Sequence, residues 1–185
     1  MEDTSETPAP APASPASLAS PVKTARTWSR RRALSLIGCL MVVGLGLDQL
    51  TKWWAETALG QGRVVSLIDD WLVLRLVRNP GAAFSLGESF TYVFTLLALI
   101  VLVAAWWWSA RAVRRPVWAA LIGVGLAGVT GNLIDRLCQP PGVGRGHVID
   151  FISLRYFATF NVADICLTVA AAGLVIISFR GIGPR

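Results

Sequence analysis

Gly131-Asn132-Leu133-Ile134-Asp135-Arg136 closes an apolar run that begins near Val117, and Phe160-Asn161-Val162-Ala163-Asp164 opens another that ends near Phe179. Each run is long enough to cross a bilayer, and each carries an Asn-x-x-Asp at one end. A third aspartate, in Val148-Ile149-Asp150-Phe151, lies between the two copies. Acids are costly beside lipid and are usually functional where they occur there. Three of them at adjoining helix ends point to carboxylate chemistry at a membrane surface.

Composition agrees with a membrane protein. The chain of 185 residues is 54% hydrophobic and 15% charged, with a mean hydropathy of +0.58. Soluble domains average about 45–50% apolar and about 25% charged. The net charge of +6 does not indicate nucleic-acid binding, because the basic residues cluster at the ends of apolar runs rather than on one face. Met1 to about Ala25 is rich in Pro, Ala, Ser and Thr and lacks apolar periodicity. It reads as a disordered tail, so residues 1–28 are set apart from a single unit over 29–185. Ser29-Arg30-Arg31-Arg32-Ala33-Leu34 could open a cleaved signal peptide, even a twin-arginine one. No small-x-small cleavage site follows, so a retained first helix is the better reading.

Four spans follow, at about Ala33–Trp54, Thr91–Ser109, Val117–Asp135 and Asn161–Phe179. Each approaches the roughly 20 residues needed to cross about 30 Å of hydrocarbon. Arg30 to Arg32, the short loop Arg111-Ala112-Val113-Arg114-Arg115 and Arg180 place both termini and that loop in the cytoplasm. The connections 55–90 and 136–160 then face outward, with every candidate acid. Asp48 lies sixteen residues beyond Arg32 and Asp164 sixteen before Arg180, which is about 24 Å along a helix. Both acids sit slightly below the outer surface, in a layer that a lipid-attached substrate reaches sideways. The β-branched segment Gly62 to Arg78 suggests a small extracytoplasmic hairpin or sheet. Asn79-Pro80-Gly81-Ala82-Ala83-Phe84 turns the chain into the second span.

Asp48 and Lys52 stand at i and i+4, acid first, and read as a structural ion pair more than as direct chemistry. Asn132 and Asp135 share a helix face, as do Asn161 and Asp164, and the bland reading of each pair is helix capping. Arg136 offers Asp135 a charge partner nearby. Asp150 and Asp164 have no cation in their own apolar segments. Two such carboxylates brought together cannot both ionise at neutral pH; one holds a proton as general acid while the other activates water, as in aspartic proteases. Metal chemistry is not expected, since His147 is the lone histidine and Cys39, Cys138 and Cys166 are scattered. His147 reads as a loop residue, close enough to Asp150 to tune it. Trp53, Trp54 and Trp106 to Trp108 read as interfacial belts. Two rival readings are a small transporter or proton relay and a lipid-modifying transferase. The first favours acids at mid-membrane and internal repeats; the second wants an outward nucleophile or basic cluster.

The ordered segments Asp48-Gln49-Leu50-Thr51-Lys52, Asn79 to Phe84, Gly131 to Arg136, Val148 to Phe151 and Phe160 to Asp164 closely resemble the lipoprotein signal peptidase (signal peptidase II) family from about Ala33 to Phe179. The resemblance implies four transmembrane helices with a small extracytoplasmic sheet, and an aspartyl endopeptidase of the bacterial inner membrane. It further implies a monomer without a cofactor. The implied substrates are diacylglyceryl prolipoproteins, cut just before the lipid-bearing cysteine. It puts the catalytic pair on Asp150 and Asp164, with Asn161 orienting the pair or the scissile carbonyl. Asn79, Gly81, Asn132, Asp135, Arg136 and Ala163 would line or brace the site, and Asp48 and Lys52 would support it from the first span. The N-terminal tail and the long link Cys138 to Gly146 depart from the family pattern; the link bears on how Asp150 is positioned.

Overall fold

The computed structural model describes residues 27–81 and 91–185. The tail assigned to 1–28 lies almost wholly outside the described residues, as do Ala82, Ala83 and Phe84. The elements run α1 (Arg30–Leu59), β1 (Val64–Ile68), β2 (Leu72–Asn79), α2 (Thr91–Ala112), α3 (Pro116–Cys138), β3 (Val148–Leu154) and α4 (Val162–Phe179). All four helices are long and apolar enough to cross a membrane.

The expected spans hold, the first three with longer ends. The 30-residue α1 is about 45 Å long, so it outreaches the hydrocarbon by several turns. Its outer end buries Ala55 and Leu59 against Phe151, beneath Leu74, Leu76 and Ile152 of the sheet. Hydropathy alone missed this extension, because Glu56 and Thr57 interrupt the apolar run while the helix buries only one face. At the opposite end, Ala33, Ile37, Val113, Ala119, Ile122 and Leu126 form a second cluster. There the C-terminal segment folds back: the Pro184 carbonyl accepts from the amides of Arg114 and Arg115 at 2.8 and 3.1 Å.

The expected hairpin is larger than Gly62 to Arg78. β1 and β2 pair antiparallel, and β3 adds a third strand to β2, with Asp150 opposite Val77 and Val148 opposite Asn79. Val148 to Leu154 does not alternate in polarity, because most of it is buried, so period two could not announce it as a strand. Phe160 bridges back to Ile152 and delivers the chain straight into α4.

α3 is the central helix, buried along much of its length, and packs on α1 and α4. Lipid offers no hydrophobic drive to pair helices, so close backbone approach through small residues matters. A Cβ at Gly128 would overlap the Ala163 carbonyl, and one at Gly131 would overlap the Asp48 carboxylate. α2 is peripheral and buries only Thr91 and Ser109. Gly131→Ala is expected to lower stability by about 1–3 kcal/mol, read as a drop in thermal unfolding midpoint in detergent. A midpoint equal to wild type would refute so tight an α1–α3 contact.

Candidate functional site

The first layer of the site is a buried cation between two acids. Lys52 Nζ lies 2.8 Å from Asp48 Oδ2 and 2.7 Å from Asp135 Oδ2, and all three side chains are at most 2% exposed. The same ammonium donates to Asn132 Oδ1 at 3.1 Å. The Asp48–Lys52 ion pair that the spacing suggests is present, and it is a three-helix device. Asp48 Oδ1 accepts from the amide of Ala163 on α4 at 2.9 Å, which explains the small, fully buried residue there. Asp135 Oδ2 accepts from the amide of Ile149 on β3 at 3.1 Å.

Arg136 does sit within charge range of Asp135, but among the described residues the direct ion pair of Asp135 is with Lys52. Consecutive residues diverge around a helix, and Arg136 Nη1 instead donates to the carbonyl of Asn132 at 3.2 Å. Gln49, which carried no weight in the sequence reading, donates toward Asp48 Oδ2 at 3.1 Å and Asp135 Oδ1 at 3.4 Å. Its second acceptor lies on another helix, so spacing within α1 could not reveal it. Replacing Lys52 by Met leaves two buried carboxylates without their cation, and a loss of about 3–5 kcal/mol is expected. Urea or thermal unfolding of the purified protein checks this; a loss below 1 kcal/mol would mean the acids are solvated.

The second layer is centred on Asn161. Asn161 is the N-cap of α4 and forms a capping box with Asp164. Its Oδ1 accepts from the Asp164 amide at 3.0 Å, and its own amide donates to Asp164 Oδ2 at 3.2 Å. The bland capping reading is thus right for this copy of Asn-x-x-Asp, and incomplete. The Asn161 Nδ2 donates outward to Asp150 Oδ1 at 2.7 Å, with the Asn132 Oδ1 and the Ile149 carbonyl each at 3.2 Å. Asn132 Nδ2 donates to Asp164 Oδ1 at 2.8 Å. The other copy caps nothing, since Asn132 and Asp135 sit inside α3; Asn132 joins the lysine layer to the Asp164 layer.

Asp150 enters from the sheet. Its side chain is 2% exposed, and Oδ2 accepts from Asn79 Nδ2 at 2.9 Å. Asn79 is held by the Gly81 amide, which donates to Asn79 Oδ1 at 2.9 Å. Gly81 itself has φ of 101°, which a side chain would strain. Burial raises the Asp150 carboxyl to about 6; the Asp164 charge adds to the rise, while hydrogen bonds from Asn79 and Asn161 and the Lys52 charge oppose it. His147, suggested as a tuning group, is not among these causes, and its amide donates to the Pro140 carbonyl. Asp164 is half-buried and lines a cavity of about 520 Å³ with Asn79, Leu154, Phe160, Ile165 and Val169. Apart from Asn79 and Leu154, the cavity walls come from α4 and from the chain after β3, where most of the lining is apolar.

Every expected site residue except those outside the described segments falls within this one connected network. Four membrane-length helices with a buried carboxylate network beneath a small sheet define a polytopic membrane protein whose acids gather at one end of its helices. Residues 40–180 match the family model described as signal peptidase (SPase) II. The lipoprotein signal peptidase of Leifsonia xyli is 39% identical over 171 residues, covering 92% of this chain and 77% of that one. That of Mycobacterium tuberculosis H37Rv is 44% identical over 150 residues, covering 81% and 74%. A bacterial membrane enzyme solved by the in meso method at 1.9 Å superposes with a TM-score of 0.68 at 25% identity, over 82% of this chain and 95% of that one. Another, solved at 2.3 Å, has the same fold, with a TM-score of 0.70 at 24% identity over 84% and 92%. The chain belongs to the signal peptidase II family and is a multi-pass membrane peptidase. The relay and transferase readings give way to it.

Proposed function

We propose that this peptidase removes signal peptides from diacylglyceryl-modified prolipoproteins, cutting just before the lipid-bearing cysteine, with Asp150 and Asp164 as its catalytic pair. The observation that carries the reading is the one residue Asn161 that holds both acids, its side-chain amide donating to Asp150 and its backbone amide to the Asp164 carboxylate. It ties a buried carboxyl to a half-buried one that opens on an apolar cavity. Family membership supports the prolipoprotein substrate.

The two environments divide the labour. Asp150 is buried and raised to about 6, so it is the acid that holds the proton and donates it to the scissile carbonyl oxygen. Asp164, half-buried at the cavity, takes a proton from water as that water's oxygen attacks the carbonyl carbon. The tetrahedral gem-diol collapses when the C–N bond breaks, the leaving nitrogen takes up the proton from Asp164, and a gem-diol hydroxyl returns its proton to Asp150. Asn161 and Asn79 hold the carboxyls in register without titrating. The remaining acids, Asp48 and Asp135, are paired with Lys52 and take no part in proton transfer.

Charge placement supports cytoplasmic termini and an active site at the extracytoplasmic face of the bacterial inner membrane. The apolar cavity then opens sideways to lipid, where the acylated substrate lies. The site is built within one chain over residues 29–185, which supports a monomeric enzyme, and the tail before it is outside the catalytic unit.

Asp150→Asn and Asp164→Asn are each expected to cut cleavage of a diacylglyceryl prolipoprotein by roughly 10³-fold or more, while the protein remains folded in detergent. Asp48→Asn and Asp135→Asn should cost less. Full activity in either dyad variant sinks the assignment, and equal cleavage of a substrate without diacylglycerol sinks the lipid requirement. Since the working form carries its proton on Asp150, kcat/KM should fall as pH rises through about 6. A rate that rises through this range would reverse the acid and base roles.

A further inference from the structure

The long link after α3 is secured at both ends to that helix. Gln139 and Gly146 donate their amides to the carbonyls of Asp135 and Arg136, at 2.8 and 3.0 Å. Its middle reaches across to α2. Thr95 Oγ1 lies 2.8 Å from the Gly144 carbonyl and 3.0 Å from that of Thr91. A hydroxyl has one proton to give, and the Thr91 carbonyl already belongs to the helix ladder, so Gly144 is the better acceptor. Gly144 has φ of 76°, and a Cβ there would come within 3.0 Å of the Tyr92 ring. Arg145 stands 5.7 Å from the same ring.

One turn earlier, the fully buried Thr91 donates from Oγ1 to the Pro80 carbonyl at 2.8 Å. Pro80 lies between Gly81, whose amide holds the Asn79 side chain, and Asn79, whose side-chain amide donates to Asp150. α2 otherwise turns apolar side chains outward along its length. Lipid gives such a helix little reason to stay in one place, so its outer end depends on these polar attachments.

We propose that the 139–147 link is a strap that positions Asp150: Gly144 fixes α2 through Thr95, and Thr91 then fixes Pro80 and with it Asn79. Thr91 and Thr95 are positioning residues, and the proposal rests on the reading of Asp150 as one half of the catalytic pair. Asp150 also faces Asp164 from α4, Lys52 from α1 and Arg136 from α3. On β2, Arg78 is engaged by Glu56 at 2.7 Å and by Gln139 of the strap at 3.2 Å. None of these charges is altered by a change at Thr91 or Thr95.

The test titrates Asp150 in the full-length protein in detergent, by the infrared carboxyl band that Asp150→Asn removes, beside the pH profile of cleavage. Asn79 donates to the ionised form, so loosening it should move the Asp150 midpoint upward. Thr91→Val and Thr95→Val should raise that midpoint by roughly half a unit and lower kcat/KM roughly fivefold. Asn79→Ala should shift it at least as far, and Thr91→Ser should restore wild-type behaviour. Adding Thr91→Val to Asn79→Ala should produce no further shift. Unshifted midpoints in both valine variants, or additive shifts in the double variant, overturn the strap and leave the catalytic pair standing. If Thr91→Val fails to fold, Thr95→Ala removes only the strap contact and decides in the same way. Because the infrared band reports Asp150 whether or not that acid cuts peptides, a shift there supports the strap even if Asp150→Asn stays active.

Discussion

A lysine ammonium buried between two aspartates is the interaction on which the rest of this structure depends. Lys52 holds Asp48 and Asp135 at 2.8 and 2.7 Å with all three nearly inaccessible. Desolvating a charge in such a place costs several kcal/mol per ion unless partners and hydrogen bonds compensate. Here they do: Ala163, Ile149, Gln49 and Asn132 supply the remaining contacts. Those contacts come from α1, α3, α4 and β3, so neutralising one charge cluster also fixes how four elements meet. The absence of a side chain at Gly131 is part of the same constraint, because the Asp48 carboxylate occupies that space.

The site then separates two kinds of acid by what surrounds them. Asp48 and Asp135 share one buried cation, Lys52. Asp150 and Asp164 are tied by amides, which are neutral, so their charges are not cancelled in the same way. The Asp150 carboxyl accordingly rises to about 6, with burial the largest cause. Asn132 stands at the boundary, with its oxygen toward Lys52 and its nitrogen toward Asp164. A displacement of the structural layer would therefore be felt at Asp164 through a single side chain. Amides suit this role because they orient carboxylates at fixed distances without competing for the proton.

Much of this was legible in the chain. The four apolar runs, their basic ends and the sixteen-residue spacing from Arg32 to Asp48 and from Asp164 to Arg180 establish the spans and put the acids in one layer. The five ordered motifs identify the family, and they name residues that the fold brings into one network. Other features could not be read. β3 escaped because a strand buried on both faces has no alternation. The outer turns of α1 escaped because they bury one face under a sheet rather than in lipid. Sequence adjacency offered Arg136 as a charge near Asp135, but the direct ion pair is with Lys52 on a different helix, which spacing could not reveal.

The sequence by itself determined that this is a four-span membrane protein with its acids gathered at one end of its helices, because hydropathy, charge placement and residue type are local properties of the chain. Which acid meets which partner was decided only by the tertiary structure. Hydrogen bonds and ion pairs act over about 3 Å, and the residues that make them here stand up to 115 positions apart, as Asp48 and Ala163 do. No periodicity within one element carries that information. It arises when α3 brings α1 and α4 together and the sheet sets Asp150 beside Asn161.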